Sequence, residues 1–333
     1  LFLNKTPFIA FYGGEPLLNF NLVKGVIEHV EETYPNLLVH YTITTNGIML
    51  KDKHIADFLR SHNVIICVSI DGYRDNHDRN RLKTNGAPTY DEICEIVHSY
   101  FQDYQLIYSL CCIDYLTDLR KLYQYYKTYD RMSGGDMPHL LMLSPIFDLG
   151  TDYYDQFSAE SQERFASDYR HLEAEYIRLA QNGESNWFLD LMIGQELLHV
   201  FDRPKFGNLG GFYVVNGCCV PGEKIYVYPD GTFGVCEKVG IDDIKIGDIH
   251  NGIDFKCVSS WINKMNRIMS DFCGACTTSS ACSVCFSQLT SAESLGFTKR
   301  KCALRKAAFF HCIEVINEIE RKNPNFFTNK VLS

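Results

Sequence analysis

Through the first half of the chain, short apolar runs alternate with longer stretches that are apolar on one face only. The runs at 8–12, 38–45, 64–70, 104–112 and 139–145 read as buried strands. Between them, 19–34 carries Leu22, Val26, Ile27 and Val30 at helical spacing, and 51–61, 91–101 and 116–129 keep the same period. Strand and helix in strict alternation predict parallel βαβ units, an α/β fold. Farther on, Phe165, Tyr169, Leu172, Tyr176 and Leu179 predict a long amphipathic helix over 158–181, with Gly183 after its end. A second helix is predicted over 189–201. The glycine-rich stretch 206–211 then marks a boundary, giving expected domains 1–205 and 206–333. Tyr226-Val227-Tyr228 and Thr232-Phe233 read as a hairpin turned by Pro229-Asp230-Gly231.

Composition narrows the classes. A chain of 333 residues suggests two domains, and 46% hydrophobic with 13% aromatic residues can fill a large core. A net charge of −9, with no basic run interleaved with aromatics, excludes a nucleic-acid surface. No apolar stretch reaches the roughly 18 residues that a membrane-spanning helix needs.

The chemistry gathers in two places. At the predicted strand ends stand Gly13-Gly14-Glu15-Pro16, Thr44-Thr45-Asn46-Gly47 and Ser69-Ile70-Asp71-Gly72, with His77-Asp78-Arg79-Asn80-Arg81 close behind. Paired glycines leave backbone groups open to a ligand, Glu15 offers a carboxylate for an ammonium group, and parallel α/β folds place their sites at these ends. The second place is the C-terminal third, which holds ten of the fourteen cysteines. Cys273, Cys276, Cys282 and Cys285 fall within thirteen residues, Cys219 and Cys236 precede them, and Cys302 follows. In a chain this long, C-x2-C clustering points to metal rather than disulfides, and so to a reducing, anaerobic cytoplasm. The spacing between the pairs is too short for a zinc ribbon, although four thiolates alone can hold zinc.

Together these residues resemble the radical SAM enzymes, in the branch that carries a C-terminal SPASM domain. The resemblance covers residues 1–112 and 212–312. It implies a partial (β/α)6 barrel followed by a small α+β SPASM domain. In that family the GGE stretch holds the amino group of S-adenosylmethionine, the S-x-D-G serine meets its ribose, and the H-D-x-x-R arginine meets its carboxylate. By position these are Gly13, Gly14 and Glu15, then Ser69, then Arg81. The SPASM order fits Cys219, Gly231 and Cys236, and departs once, with two residues rather than three between Cys282 and Cys285.

The family's reactive [4Fe–4S] cluster sits on C-x3-C-x2-C, which occurs nowhere in these 333 residues. The chain opens inside what the resemblance makes the second strand, so the first strand and its cluster loop are expected upstream. Two auxiliary [4Fe–4S] clusters are implied: Cys219, Cys236 and Cys285 on cluster I, and Cys273, Cys276, Cys282 and Cys302 on cluster II. The fourth ligand of cluster I is Cys218, Cys257 or none from the protein. Cys67, Cys94, Cys111, Cys112 and Cys312 are expected as buried structural thiols. Glu237 stands where the related anaerobic sulfatase maturases carry an aspartate thought to take a substrate proton. His77 and Asp78 are expected to shape the loop that presents Arg81.

The implied function is maturation of a peptide or protein through a 5′-deoxyadenosyl radical, with an electron donor such as flavodoxin or ferredoxin. Thioether crosslinking of a ribosomally made peptide is the first reading and formylglycine formation in a sulfatase the second. A non-catalytic iron–sulfur or zinc protein that binds peptides is the third.

Overall fold

A computed structural model describes residues 6–147, 151–202, 222, 224–239, 244–279, 282 and 292–332. Five parallel strands form one sheet in sequential order: β1 (Phe8–Phe11), β2 (His40–Thr45), β3 (Ile65–Ser69), β4 (Ile107–Ile113) and β5 (His139–Pro145). Each crossover carries helix: α1 (Phe20–Thr33), α2 (Lys53–Ser61), α3 (Arg74–Asn80) with α4 (Tyr90–Phe101), and α5 (Leu119–Tyr129). All five predicted strands are present. The α/β architecture follows from the alternation that predicted it.

The period-2 rule decides which face is covered. In β2, Tyr41, Ile43 and Thr45 are buried while His40, Thr42 and Thr44 are half-buried. The buried set joins Ile66, Val68 and Ile107 in a core with Val23 and Ile27 of α1, Phe58 and Leu59 of α2, and Ile96 and Phe101 of α4. Aspartates start two of these helices: Asp52 accepts the His54 amide at 2.9 Å and Asp118 the Lys121 amide at 2.8 Å.

One helix has no apolar pattern to announce it. α3 reads Arg-Asp-Asn-His-Asp-Arg-Asn, and its buried residues are Asn76 and His77. It is held by hydrogen bonds, with the Asn76 side chain donating to the Asp71 carbonyl at 2.7 Å and accepting the Thr117 hydroxyl at 2.9 Å.

The long helix α6 spans Ala159–Gln181. The helix expected at 189–201 is subdivided: α7 (Trp187–Leu189) runs through a π-helical stretch (Asp190–Gly194) into α8 (Gln195–Phe201). The chain divides into two compact units, Leu1–Phe147 with Tyr154–Glu175 and Asn186–Met192, and the remainder, mainly Ile193–Ser333.

The second unit holds a four-stranded antiparallel sheet: β6 (Tyr226–Val227), β7 (Thr232–Gly234), β8 (Lys245–Asp248) and β9 (Gly252–Ile253). Its first hairpin turns where Pro229-Asp230-Gly231 predicts, with Gly231 at φ +82° and Asp230 accepting the Thr232 amide at 2.9 Å. Helix α9 (Phe255–Cys273) packs Val258 and Met265 onto Val235, Ile244 and Ile246. Helices α10 (Ala292–Glu320) and α11 (Phe326–Leu332) complete the described chain. No helix among the described residues is long and apolar enough to cross a membrane.

Candidate active site and cysteine centre

Because the five strands are parallel and sequential, the segments after each of them lie along one edge of the sheet. Gly13-Gly14-Glu15 follows β1, Asn46 follows β2, and Ser69 ends β3. Only β2 separates β1 from β3, a distance of about 10 Å at ordinary strand spacing. Gly13 has φ +150°, a backbone that side chains disfavour, and a Cβ at Gly13 or Gly14 would meet nothing within 4 Å. The loop therefore presents open backbone at the strand end.

Glu15 is hydrogen-bonded on both carboxylate oxygens. Its Oε1 accepts the Thr45 hydroxyl at 2.8 Å and the Leu17 amide at 3.1 Å, and Oε2 accepts the Asn46 amide at 2.7 Å. The carboxylate ties the glycine loop to the end of β2 and starts the 3-10 turn Pro16–Asn19. The open polar groups beside it are those of the glycine backbone.

After β3 the chain turns at Gly72, where φ is +73° and a Cβ would lie 2.1 Å from Leu122 Cδ1. Arg81, the residue just past α3, returns to the same edge. Its Nε and Nη2 donate to the two oxygens of Asp71 at 2.5 and 3.0 Å. Burial works against the Arg81 charge, but Asp71 outweighs it and raises its pKa. Asp71 also accepts the Cys112 amide of β4 at 2.8 Å. The Cys112 thiol, only half-buried, interacts with Ser144 of β5 and with Arg81. Cys67, Cys111 and Cys312 are buried as expected, whereas Cys94, like Cys112, is half-buried.

His77 supports this edge from below. The Asp71 amide donates to its Nδ1 at 3.2 Å, so the neutral ring carries its proton on Nε2 and gives it to Thr89 Oγ1 at 3.0 Å. The Thr89 hydroxyl in turn donates to the Arg81 carbonyl at 2.7 Å. Burial pulls His77 down to about 4. Asp78 accepts the amides of Thr89 and Tyr90. Both residues thus brace the segment that runs from Arg81 to Tyr90. Asp71 and Cys112 are the residues that sequence reasoning passed over. The S-x-D-G string contained the first without a role, and the second was expected only as a structural thiol.

In the second unit, Cys273 ends α9 and the chain then turns tightly, the Cys276 amide donating to the Cys273 carbonyl at 2.9 Å. Burial and the neighbouring thiols Cys282, Cys276 and Cys302 push Cys273 up to about 11. Cys302, on α10, is raised by burial and feels Cys282 and Cys276. These four thiols therefore share one neighbourhood. Cys273 and Cys282 also pack, with buried Cys236, against the core of this unit. Among the described residues no three potential ligands converge tightly enough to hold a single metal ion. Thiolates are the donors of iron–sulfur clusters, and four of them can also hold zinc. Cys218, Cys219 and Cys285 lie outside the described residues.

Beside Cys236, Glu237 accepts Lys224 Nζ at 2.6 Å and lies 3.3 Å from the Cys236 sulfur. Burial disfavours its charge, but Lys224 outweighs this and holds the carboxyl below its ordinary range. Cys257 donates its thiol to the Lys245 carbonyl at 3.0 Å.

Residues 2–116 match the family model for the Radical SAM superfamily. These residues are a radical SAM domain. It contains the glycine loop, Ser69, Asp71, Arg81 and Cys112. The chain is 23% identical over 255 residues to a cysteine-type anaerobic sulfatase-maturating enzyme of Clostridium perfringens, covering 73% of this chain and 62% of that protein. It thus spans about three fifths of the length of such curated relatives. A shorter match, 36% identical over 74 residues, is to the radical SAM cyclopropyl synthase TigE of Paramaledivibacter caminithermalis, covering 22% of this chain and 15% of that one. Among solved structures, anSMEcpe with bound AdoMet and Kp18Cys peptide superposes with a TM-score of 0.62 at 19% identity, covering 94% of this chain and 85% of that chain. That likeness shows the fold beyond the radical SAM domain.

Proposed function

We propose that the protein is a radical SAM maturase that modifies a cysteine-containing peptide or protein. The observation that carries this reading is the strand-end edge of the radical SAM domain, where the open Gly13–Gly14 backbone, Ser69 and Arg81 fall along one side of the sheet. S-adenosylmethionine, when bound and reductively cleaved at an iron–sulfur cluster, supplies a 5′-deoxyadenosyl radical that takes hydrogen from substrate carbon. The Gly13-Gly14-Glu15 stretch receives its ammonium group, Ser69 its ribose and Arg81 its carboxylate. Electrons come from a flavodoxin or ferredoxin.

Residues 206–333 are assigned as a SPASM domain with two auxiliary [4Fe–4S] clusters. Cys273, Cys276, Cys282 and Cys302 hold cluster II. Cys219, Cys236 and Cys285 hold cluster I, with Glu237 beside it as a proton acceptor. The electrostatic neighbourhood of Cys273 supports the first set.

Thioether crosslinking is the reading that makes best use of an open iron on cluster I, which would bind a substrate thiolate. Formylglycine formation is the second reading, supported by similarity to cysteine-type sulfatase-maturating enzymes along 73% of the chain. The test is mass analysis of a cysteine peptide after reaction with the full-length protein. A thioether product loses two hydrogens, keeps its sulfur and resists thiol alkylation. A formylglycine product loses its sulfur and reacts with a hydrazide.

A further inference from the structure

We infer that Asp71 is a positioning residue for S-adenosylmethionine, setting the Arg81 guanidinium for the amino-acid end of that molecule. The inference rests on the reading that Arg81 meets the ligand's carboxylate, and adds how the chain prepares it. Asp71 is 3% exposed and grips Arg81 by two bonds, to Nε and Nη2, which fixes the plane of the guanidinium as well as its place. Its Oδ1 is shared with the Cys112 amide, so the carboxylate is itself anchored to β4. The Arg81 backbone is held separately by Thr89, through the carbonyl. Main chain and side-chain head are thus fastened at different points, and Nη1 is left as the nitrogen of the fork not committed to Asp71.

An arginine on a free stem must be ordered when ligand arrives, and this cost is charged to affinity. A head already clamped avoids it and presents its charge at one angle. A purely structural ion pair would hold α3 against the sheet equally well. The two roles differ in which part of the ligand notices the loss. Positioning through Arg81 concerns only the carboxylate end, while a disturbed fold weakens every contact.

The experiment measures dissociation constants of the full-length protein for S-adenosylmethionine and for 5′-methylthioadenosine, which keeps the nucleoside and lacks the amino-acid end. Asp71→Asn should weaken S-adenosylmethionine about tenfold, in line with loss of a charge-assisted bond, and leave methylthioadenosine within about twofold. Arg81→Ala should show the same selectivity, and the double variant should bind no worse than Arg81→Ala alone. If Asp71→Asn does not fold, Asp71→Glu, which displaces the carboxylate by one methylene, should give the same selective loss. Equal weakening of both ligands, or unchanged S-adenosylmethionine affinity in the Asp71 variants, overturns the inference. Unchanged affinity in Arg81→Ala is a different failure, and removes the placement of Arg81 on which it rests.

Discussion

The Glu15 carboxylate accepts the Thr45 hydroxyl at 2.8 Å, bridging the ends of two neighbouring strands thirty residues apart in sequence. Together with its bond from the Asn46 amide, this makes Glu15 part of the frame that holds the glycine loop. Glu15→Gln places an amide nitrogen against the donors of Thr45 or Asn46. The protein should lose about 1–2 kcal/mol of stability with no ligand present, read from the shift of its urea midpoint. An unchanged ligand-free midpoint would contradict this.

His77 links the same edge to pH. Burial lowers its pKa to about 4 in the folded chain, against about 6.5 when unfolded. As pH falls below about 6.5 the unfolded state takes up the proton first, so folding stability declines through the interval down to about 4. Its full contribution is present above that window, and the loss across it is about 3 kcal/mol. Asp71, Arg81 and Asp78 are the charges that bear on the ring. Urea midpoints between pH 7 and pH 4, compared with His77→Gln, measure this. Equal slopes in the two proteins would contradict it.

The parts of this site that the sequence made legible are those built on periodicity and local motif. Short apolar runs alternating with helical patterns located all five parallel strands, because each strand is packed against the helices that follow it. Pro229-Asp230-Gly231 located the hairpin, because Gly231 takes the positive φ that its turn demands. Helix α3 was illegible for the opposite reason, since Asn76 and His77 fill its buried side through hydrogen bonds, without apolar packing. The partners of Glu15 and Arg81 were equally hidden. Thr45, Asn46 and Asp71 meet them only after the sheet forms, and no spacing rule connects Glu15 to a residue one strand away. The gathering of Cys302 with Cys273 was suggested by the SPASM order and not by any local pattern.

The proposed cluster II would join α10 to the turn after α9, so its loss should affect both metal and fold. Anaerobically reconstituted chain should hold about eight irons, in two four-iron clusters. Cys302→Ala should remove about four of them and lower the melting temperature of the reconstituted protein. Iron analysis beside zinc analysis decides the point. Zinc bound in preference to iron under matched conditions would contradict the assignment.

The proposed activity requires that a radical generated from S-adenosylmethionine take hydrogen from a peptide. A cysteine peptide carrying carbon-bound deuterium, incubated anaerobically with the full-length protein, S-adenosylmethionine and a reductant, allows the transfer to be read by mass analysis of 5′-deoxyadenosine. Deuterium should appear in that product in step with modification of the peptide, and Arg81→Ala should depress both together. Peptide modified with no deuterium in 5′-deoxyadenosine, or no 5′-deoxyadenosine formed at all, would contradict the account.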